Sequence, residues 1–379
     1  MKITGVETFL VPPRWLLVKI STDEGVTGWG EATLEGRSET VRTAVRELSE
    51  IIIGQAPARI EDHWQAMTKS GFYRGGPVLS SAVAGLDQAL WDIAGKTLGV
   101  PVYQLLGGPV RDRMRVYTWV GGDDPHQVSD AITEQVEAGF TAVKMNVSGR
   151  MSRLATMSET AAVVDRVAAA REALGPDRDF AVDFHGRVSI ATAARLIPEL
   201  RAFHPLFVEE PTLPEHGHLL GRLTGEVPIA TGERLFHREE FLPVLTAGVS
   251  VVQPDLSHAG GISEVRRIAS LAEIFDASLA PHCPLGPIAL AACLQVDFAT
   301  PNAVIQEQSL GIHYNVGHDL LDYLVDRSVF EFRDGYIERP AGPGLGIEID
   351  ETAVRAAAEM PAPWRTPSWR HEDGSYAEW

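Results

Sequence analysis

Eight short β-type runs recur through the middle of the 379-residue chain, each followed by a stretch of helical pattern that is commonly rich in alanine. They cover residues 116–120, 142–146, 180–184, 206–209, 229–233, 251–255, 278–282 and 304–307. Six of them carry a chemically useful side chain at or beside the last position: Asp183, Glu209, Glu233, Asp255, His282 and Glu307. The steps between these positions are 26, 24, 22, 27 and 25 residues. A strand, a helix and two loops take about that length, and eight such units close into a (β/α)8 barrel of about 250 residues. The C-terminal ends of barrel strands face the active site, so six successive strands aim these side chains at one mouth.

The flanks read differently. Residues 3–10, 15–21 and 26–32 are β-rich, with Asp23-Glu24-Gly25 as a turn, which predicts a three-stranded meander. Val41, Ala44, Val45, Leu48 and Ile52 then recur at helical spacing up to Gly54, and a second helical stretch runs from Ser80 to a stop at Gly99. Near the end, Asp334-Gly335 between two short β runs predicts a hairpin. The fold class is therefore α/β: a (β/α)8 TIM-type barrel with an N-terminal α+β capping domain completed by the C-terminal tail. The expected boundaries are 1–114 for the cap, 115–325 for the barrel and 326–379 for a segment packing back on the cap.

Composition narrows the function. Lys and Arg number 33 against 51 Asp and Glu, a net charge of −18. Such a surface repels phosphate backbones and anionic lipid, so neither nucleic acid nor membrane is expected as a partner. An anionic substrate would need a local positive centre. Two cysteines, Cys283 and Cys293, make no disulfide framework, and no signal-peptide pattern or spanning apolar run is present; a cytoplasmic location is expected.

Asp183, Glu209 and Glu233 end three consecutive runs, and an all-oxygen set of this kind suits a hard cation, Mg²⁺ first and Mn²⁺ as a substitute. Glu210, beside Glu209, is a rival for the ligand role. His282 sits on the strand after Asp255, whose carboxylate can fix its tautomer and raise its basicity. His185 lies two residues past Asp183, on the same face if the strand continues, and Lys144 and Asn146 share a face on the second strand. Gly260-Gly261, ahead of a helix, could bring backbone N–H groups toward an anion.

These motifs carry a resemblance. The stretches Gly71-Phe72-Tyr73-Arg74-Gly75-Gly76-Pro77, Asp183-Phe184-His185-Gly186-Arg187, Gly232-Glu233-Arg234, Gln253-Pro254-Asp255-Leu256-Ser257-His258 and Ala280-Pro281-His282-Cys283-Pro284 resemble the mandelate racemase group of the enolase superfamily, as does the closing Trp369-Arg370-His371 segment. The resemblance implies Mg²⁺ on Asp183, Glu209 and Glu233. It implies His282, oriented by Asp255, as the base that removes the proton next to the substrate carboxylate, and His185 as the acid for the departing 3-hydroxyl. Glu307 would hydrogen-bond the substrate carboxylate. Lys144 and Asn146, with Arg14, Tyr73 and Arg74 from the cap, would bind substrate.

The second strand reads Lys144-Met145-Asn146 where many superfamily members have Lys-x-Lys. Losing the second lysine weakens racemisation, which needs proton transfer on both faces, and favours elimination with one base and one acid. The resemblance thus implies a small-molecule sugar-acid dehydratase, a hydro-lyase, working as a homo-oligomer. Its substrate would be an aldonate with R configuration at C2, D-galactonate first and D-gluconate second. A non-catalytic barrel that binds a sugar acid is the alternative from another class. Residues 147–157, with Arg150 and Arg153, depart from the family more than their surroundings do.

Overall fold

A computed structural model describes residues 1–121, 125–312, 315–360 and 364–379. The N-terminal sheet is the expected meander, β1 (Ile3–Val11), β2 (Trp15–Thr22) and β3 (Thr27–Glu31), paired antiparallel in that order. Three helices cover it: α1 (Ser38–Ile52), α2 (Ile60–Lys69) and α3 (Gly76–Leu98), followed by the short α4 (Val102–Leu105). The sequence reading has no counterpart to α2, although Ile60, His63, Trp64 and Met67 are buried at the spacing of one helix face. Helix α3 begins at Gly76, four residues before the expected start, and ends at the left-handed Gly99.

The barrel runs β4 (Arg113–Val120), α5 (Pro125–Glu137), β5 (Ala142–Asn146), α6 (Met157–Leu174), β6 (Asp179–Asp183), α7 (Ile190–Leu200) and β7 (Val208–Glu209). It continues through β8 (Ile229–Thr231), α8 (Arg238–Thr246), β9 (Val251–Val252), α9 (Gly261–Ile274), β10 (Ser278–Leu279), α10 (Pro287–Ala299) and β11 (Gln306–Gln308). Neighbouring strands pair in parallel from β4 to β10. Pairing of β11 with β4 and a Leu279–Ala303 bridge close the ring. Its interior holds one apolar residue from each strand region: Tyr117, Ala142, Ala181, Phe207, Ala230, Val251, Ala280 and Ile305. The two large rings, Tyr117 and Phe207, offset the alanines and fill the tube.

The outer layer is less regular than the eight-fold ideal. A 3-10 segment, Pro214–Arg222, stands between β7 and β8. After β11 the described residues hold only the 3-10 turns Leu320–Tyr323 and Arg327–Phe330 before the next strand. The late strands are also short, so Glu233, Asp255 and His282 lie beyond the ladder and are held by loops.

The C-terminal segment divides its contacts. The hairpin β12 (Phe332–Arg333) and β13 (Tyr336–Glu338) turns on Asp334 and Gly335, both at positive φ, and β13 pairs antiparallel with the start of β4. Helix α11 (Glu351–Ala358) packs on the cap, where Glu351 meets Lys19 at 2.8 Å and Arg355 meets Glu7 at 2.9 Å. The last pair, β14 (Trp369–Arg370) and β15 (Tyr376–Ala377), lies at the barrel rim.

Two cap carboxylates dock on barrel helix N-termini. Glu31 accepts the Gly286 and Ala289 N–H groups at 2.9 and 3.0 Å, where α10 begins. Asp87 accepts the Ser263 N–H at 2.9 Å and its hydroxyl at 2.6 Å, where α9 begins. The group that meets the Gly260-Gly261 turn is thus the protein's own Asp87 carboxyl. Burial outweighs these hydrogen bonds and pushes both carboxyls up to about 7. Among the described residues, no helix is long and apolar enough to cross a membrane.

Candidate active site

The mouth of the barrel collects Lys144, Asp183, His185, Glu209, Glu233, Asp255, His282 and Glu307. Strand pairing fixes the first of these: Asn146 lies opposite Asp183, and Asp183 opposite Glu209. Past β6 the chain turns sharply. His185 sits at φ 48°, an unusual backbone for a non-glycine residue, and its N–H is held by Asp183 Oδ1 at 2.7 Å. The ring then returns to the carboxylate, with Nε2 3.1 Å from Asp183 Oδ2.

Glu210 also adopts a positive φ, 38°, and this separates the two adjacent glutamates. Arg234 donates Nε to one Glu210 oxygen at 3.0 Å and Nη2 to the other at 2.5 Å. Glu210 is thereby committed to a salt bridge, its carboxyl pushed up to about 8 by burial and by Glu233. Glu209 points the other way, and both its oxygens accept from Lys144 Nζ, at 3.0 and 2.8 Å. The same ammonium reaches Glu307 at 3.0 Å, whose second oxygen accepts the Cys283 N–H at 2.9 Å. Burial favours a neutral lysine, but Glu209 and Glu307 hold its pKa well above the ordinary value.

On the opposite side Asp255 organises the base. Its Oδ1 accepts the Ser257 and His258 N–H groups at 2.6 and 3.1 Å, and its Oδ2 accepts from His282 Nδ1 at 2.8 Å. That leaves His282 Nε2 facing the mouth, 3.2 Å from Glu233 Oε2. Burial opposes protonation of His282, yet Glu233, Glu307 and Asp255 carry its pKa well above the usual imidazole range. His185 is the reverse case. Burial, then Arg187, Lys144 and Arg234, hold it well below that range.

The donor set fits a divalent cation. Asp183 Oδ2 and Glu233 Oε2 are buried and have no hydrogen-bond partner. Burial and the neighbouring Glu209 push the Asp183 carboxyl well above the carboxylate range; burial also raises that of Glu233, which Asp183 and Glu209 push further up. Asp183, His185 and Glu233 bring ligand atoms within 4.8 Å of one another. Glu209 is drawn aside by Lys144, and its register beside Asp183 keeps it at the same cluster. Buried oxygens with surplus negative charge are what a hard cation neutralises.

Cap residues divide. Arg14 reaches the site: it donates to the Pro284 carbonyl at 2.7 Å, two residues past His282, and lies 3.8 Å from Glu35. Glu35 meets His258 at 3.4 Å, and the His258 ring lies 6.2 Å from that of His282. Although burial opposes both shifts, Asp255 and Glu35 lift His258 to about 9, while His258 and Arg14 lower Glu35 to about 2. Tyr73 and Arg74 are not brought to the carboxylates. Tyr73 is 88% exposed, and Arg74 turns back on its own loop to the Gly71 carbonyl at 2.8 Å. Both line a separate groove with Trp64 and His237.

Sequence reasoning also missed three contributors. Trp119, at the end of β4, sets its ring 5.8 Å from His185 and 5.6 Å from Lys144, and its indole N–H is buried with no hydrogen-bond partner. His258 and the Arg234–Glu210 pair are the others. Their signals were present: Trp119 stands in the first β run, and His258 is three residues past Asp255.

A closed parallel barrel under an α+β cap, with acids and two histidines ringing one mouth, is the architecture of the enolase-like lyases and racemases. The family model described as enolase C-terminal domain-like matches residues 127–353, and the mandelate racemase/muconate lactonizing enzyme N-terminal domain matches residues 8–107. The chain belongs to the mandelate racemase/muconate lactonizing enzyme family. It is 56% identical to a D-galactonate dehydratase of Ralstonia pickettii (strain 12J), over 100% of both chains. It is 54% identical to a D-galactonate dehydratase of Cronobacter sakazakii (strain ATCC BAA-894), again over 100% of both. Among solved structures, a putative galactarate dehydratase from Agrobacterium radiobacter with bound Na and L-malate superposes with a TM-score of 0.91 at 34% identity, covering 100% of each chain.

Proposed function

We propose that the chain is a hydro-lyase that converts D-galactonate to 2-dehydro-3-deoxy-D-galactonate and water. The observation that carries the reading is the opposition of two imidazoles across one buried acid cluster. His282 with its Asp255 partner faces Glu233 from one side, and His185 faces Asp183 from the other.

Asp183, Glu209 and Glu233 would hold one Mg²⁺, with Mn²⁺ as a substitute. The cation supplies positive charge where removal of a proton beside a carboxylate builds a dianion. His282, with the Glu233 charge that holds it protonated offset by the cation, presents a free Nε2 that takes the C2 proton. Asp255 holds the ring by Nδ1 and stabilises the imidazolium that results. Lys144 donates to the substrate carboxylate, and Glu307 serves by fixing that ammonium. Asn146, whose buried Oδ1 has no hydrogen-bond partner, reads a substrate hydroxyl beside it. Arg14 closes the cap side. His185 passes its proton to the departing 3-hydroxyl, and the negative charge of the bound aldonate opposes the depression of its pKa. With His282 as the one base at C2 and His185 serving the leaving 3-hydroxyl rather than C2, elimination is favoured over racemisation. The family resemblance extends the reading to a homo-oligomer, and the sequence pattern to a cytoplasmic location.

Purified protein incubated with Mg²⁺ and a panel of aldonates, with 2-oxo product trapped as a semicarbazone, tests the reading. It predicts turnover of D-galactonate, abolished by EDTA and restored by Mg²⁺. Turnover confined to D-gluconate, or none with folded, metal-loaded protein, would overturn the substrate assignment.

A further inference from the structure

The last sixteen residues, 364–379, cross from the cap to the barrel mouth. Their composition, with Trp364, Trp369 and Trp379 around Pro367, is that of a segment that leans on other surfaces. The β14–β15 pair has two residues per strand, too little to be stable by itself. Its turn is closed locally, by the His371 N–H on the Ser375 carbonyl at 2.8 Å and by Asp373 Oδ1 on the Ser375 N–H at 2.9 Å. The remaining contacts go to loops that border the candidate site.

Trp364 lies under the Arg14 guanidinium, 5.8 Å from ring centroid to Cζ, and its ring is 6.2 Å from that of Trp379. Thr366 sits so close to Gly36 that a Cβ there would collide with it. At the other end Trp369 lies under Arg187, 4.8 Å from centroid to Cζ. The Arg370 carbonyl accepts a hydrogen bond from Arg150. Arg187 is buried, two residues past His185, and its Nη1 donates to the Ser148 carbonyl at 2.6 Å. Ser148 and Arg150 belong to the loop after β5. The same loop, Gly186, Arg187 and His371 line a cleft of about 880 Å³.

We propose that residues 364–379 are a strap that sets the loop after β5 over the barrel mouth, with Trp369 as a positioning residue acting through Arg187 on substrate affinity. The inference rests on the dehydratase reading for its substrate, but not for its structural half. Trp369 touches no reacting atom. It covers one face of the guanidinium whose Nη1 holds the Ser148 carbonyl of that loop, so removing the ring lets water compete for Arg187 and frees the loop.

The test uses Trp369→Ala and Trp369→Phe in the full-length protein. Hydrogen–deuterium exchange is the first readout. In the alanine variant, amides of residues 147–153 are expected to exchange about tenfold faster while β6 and β8 stay protected. Unchanged exchange in that loop overturns the strap. Kinetics with D-galactonate is the second readout. KM is expected to rise about fivefold to thirtyfold, the range of one desolvated cation–π contact, with kcat within about twofold of the parent, and the phenylalanine variant should recover most of the loss. A fall in kcat with KM unchanged would overturn the affinity role. Absence of turnover in the unmodified protein would sink the substrate reading and leave the exchange result to decide the strap.

Discussion

His282 Nδ1 donates to Asp255 Oδ2 at 2.8 Å, and this one bond decides which imidazole nitrogen meets the substrate. Nε2 is left 3.2 Å from Glu233, at the edge of the acid cluster. His282→Asn keeps a side chain of similar reach and removes the base. Turnover of D-galactonate should fall by at least about a thousandfold, within the range for a lost general base, while calorimetric Mg²⁺ binding is largely kept. Near-parental activity in that variant would remove His282 from the base role.

Glu209 faces Lys144 with both oxygens, so its amide would disturb two things at once. Glu209→Gln should weaken Mg²⁺ binding by about a hundredfold or more and reduce turnover with it, and high Mg²⁺ should restore part of the rate. Titration calorimetry and turnover against metal concentration read this directly. An active variant with unchanged metal affinity would argue that Glu209 is not a ligand.

The Arg234–Glu210 pair holds the turns after β6 and β7 together, and Arg234 also donates to the His185 carbonyl at 3.1 Å. Arg234→Ala leaves the Glu210 carboxyl buried without its two donors, which costs about 1–3 kcal/mol. Adding Glu210→Leu should recover much of that loss, because no unpaired polar group then stays buried. Denaturant unfolding of the single and double variants is the measurement, and a double variant no more stable than Arg234→Ala would contradict it.

Asp87 supplies a pH signature for the cap–barrel contact. Its folded pKa is about 7 against an ordinary 3.8, with burial as the cause. Between these values the folded protein keeps a proton that the unfolded chain has released. Stability from this group therefore falls as pH rises from about 4 to about 7. Asp87→Asn removes the slope and keeps an acceptor for the Ser263 N–H and a donor for its hydroxyl. The difference in unfolding temperature, variant minus parent, should increase from pH 5 to pH 8; a constant difference would show that Asp87 does not titrate.

Much of this was legible because barrel chemistry is periodic. Asp183, Glu209, Glu233, Asp255, His282 and Glu307 recur at the length of one strand–helix unit, and the closed ring of strands brings them to one mouth, although Glu233, Asp255 and His282 stand on loops just past the ladder. What periodicity carries poorly is the side chain that acts across elements. Lys144 and its two carboxylates are 65 and 163 positions apart, and only the closed ring brings them together. Tyr73 and Arg74 stand away from the carboxylates for a local reason: the loop before α3 folds Arg74 onto Gly71, a contact no helical or strand period encodes. Glu210 and Glu209 were not separable by pattern, since the positive φ of Glu210 and its distant partner Arg234 assign their directions.

The most direct test of the mechanism is hydrogen exchange at C2 of D-galactonate in D₂O, followed by proton NMR with Mg²⁺-loaded His185→Gln and His282→Asn. The account predicts that the His185 variant exchanges the C2 proton for deuterium while eliminating water about a hundredfold more slowly than the parent, and that the His282 variant does neither. Exchange at C2 by the His282 variant, or parental elimination by the His185 variant, would contradict the division of labour between the two imidazoles.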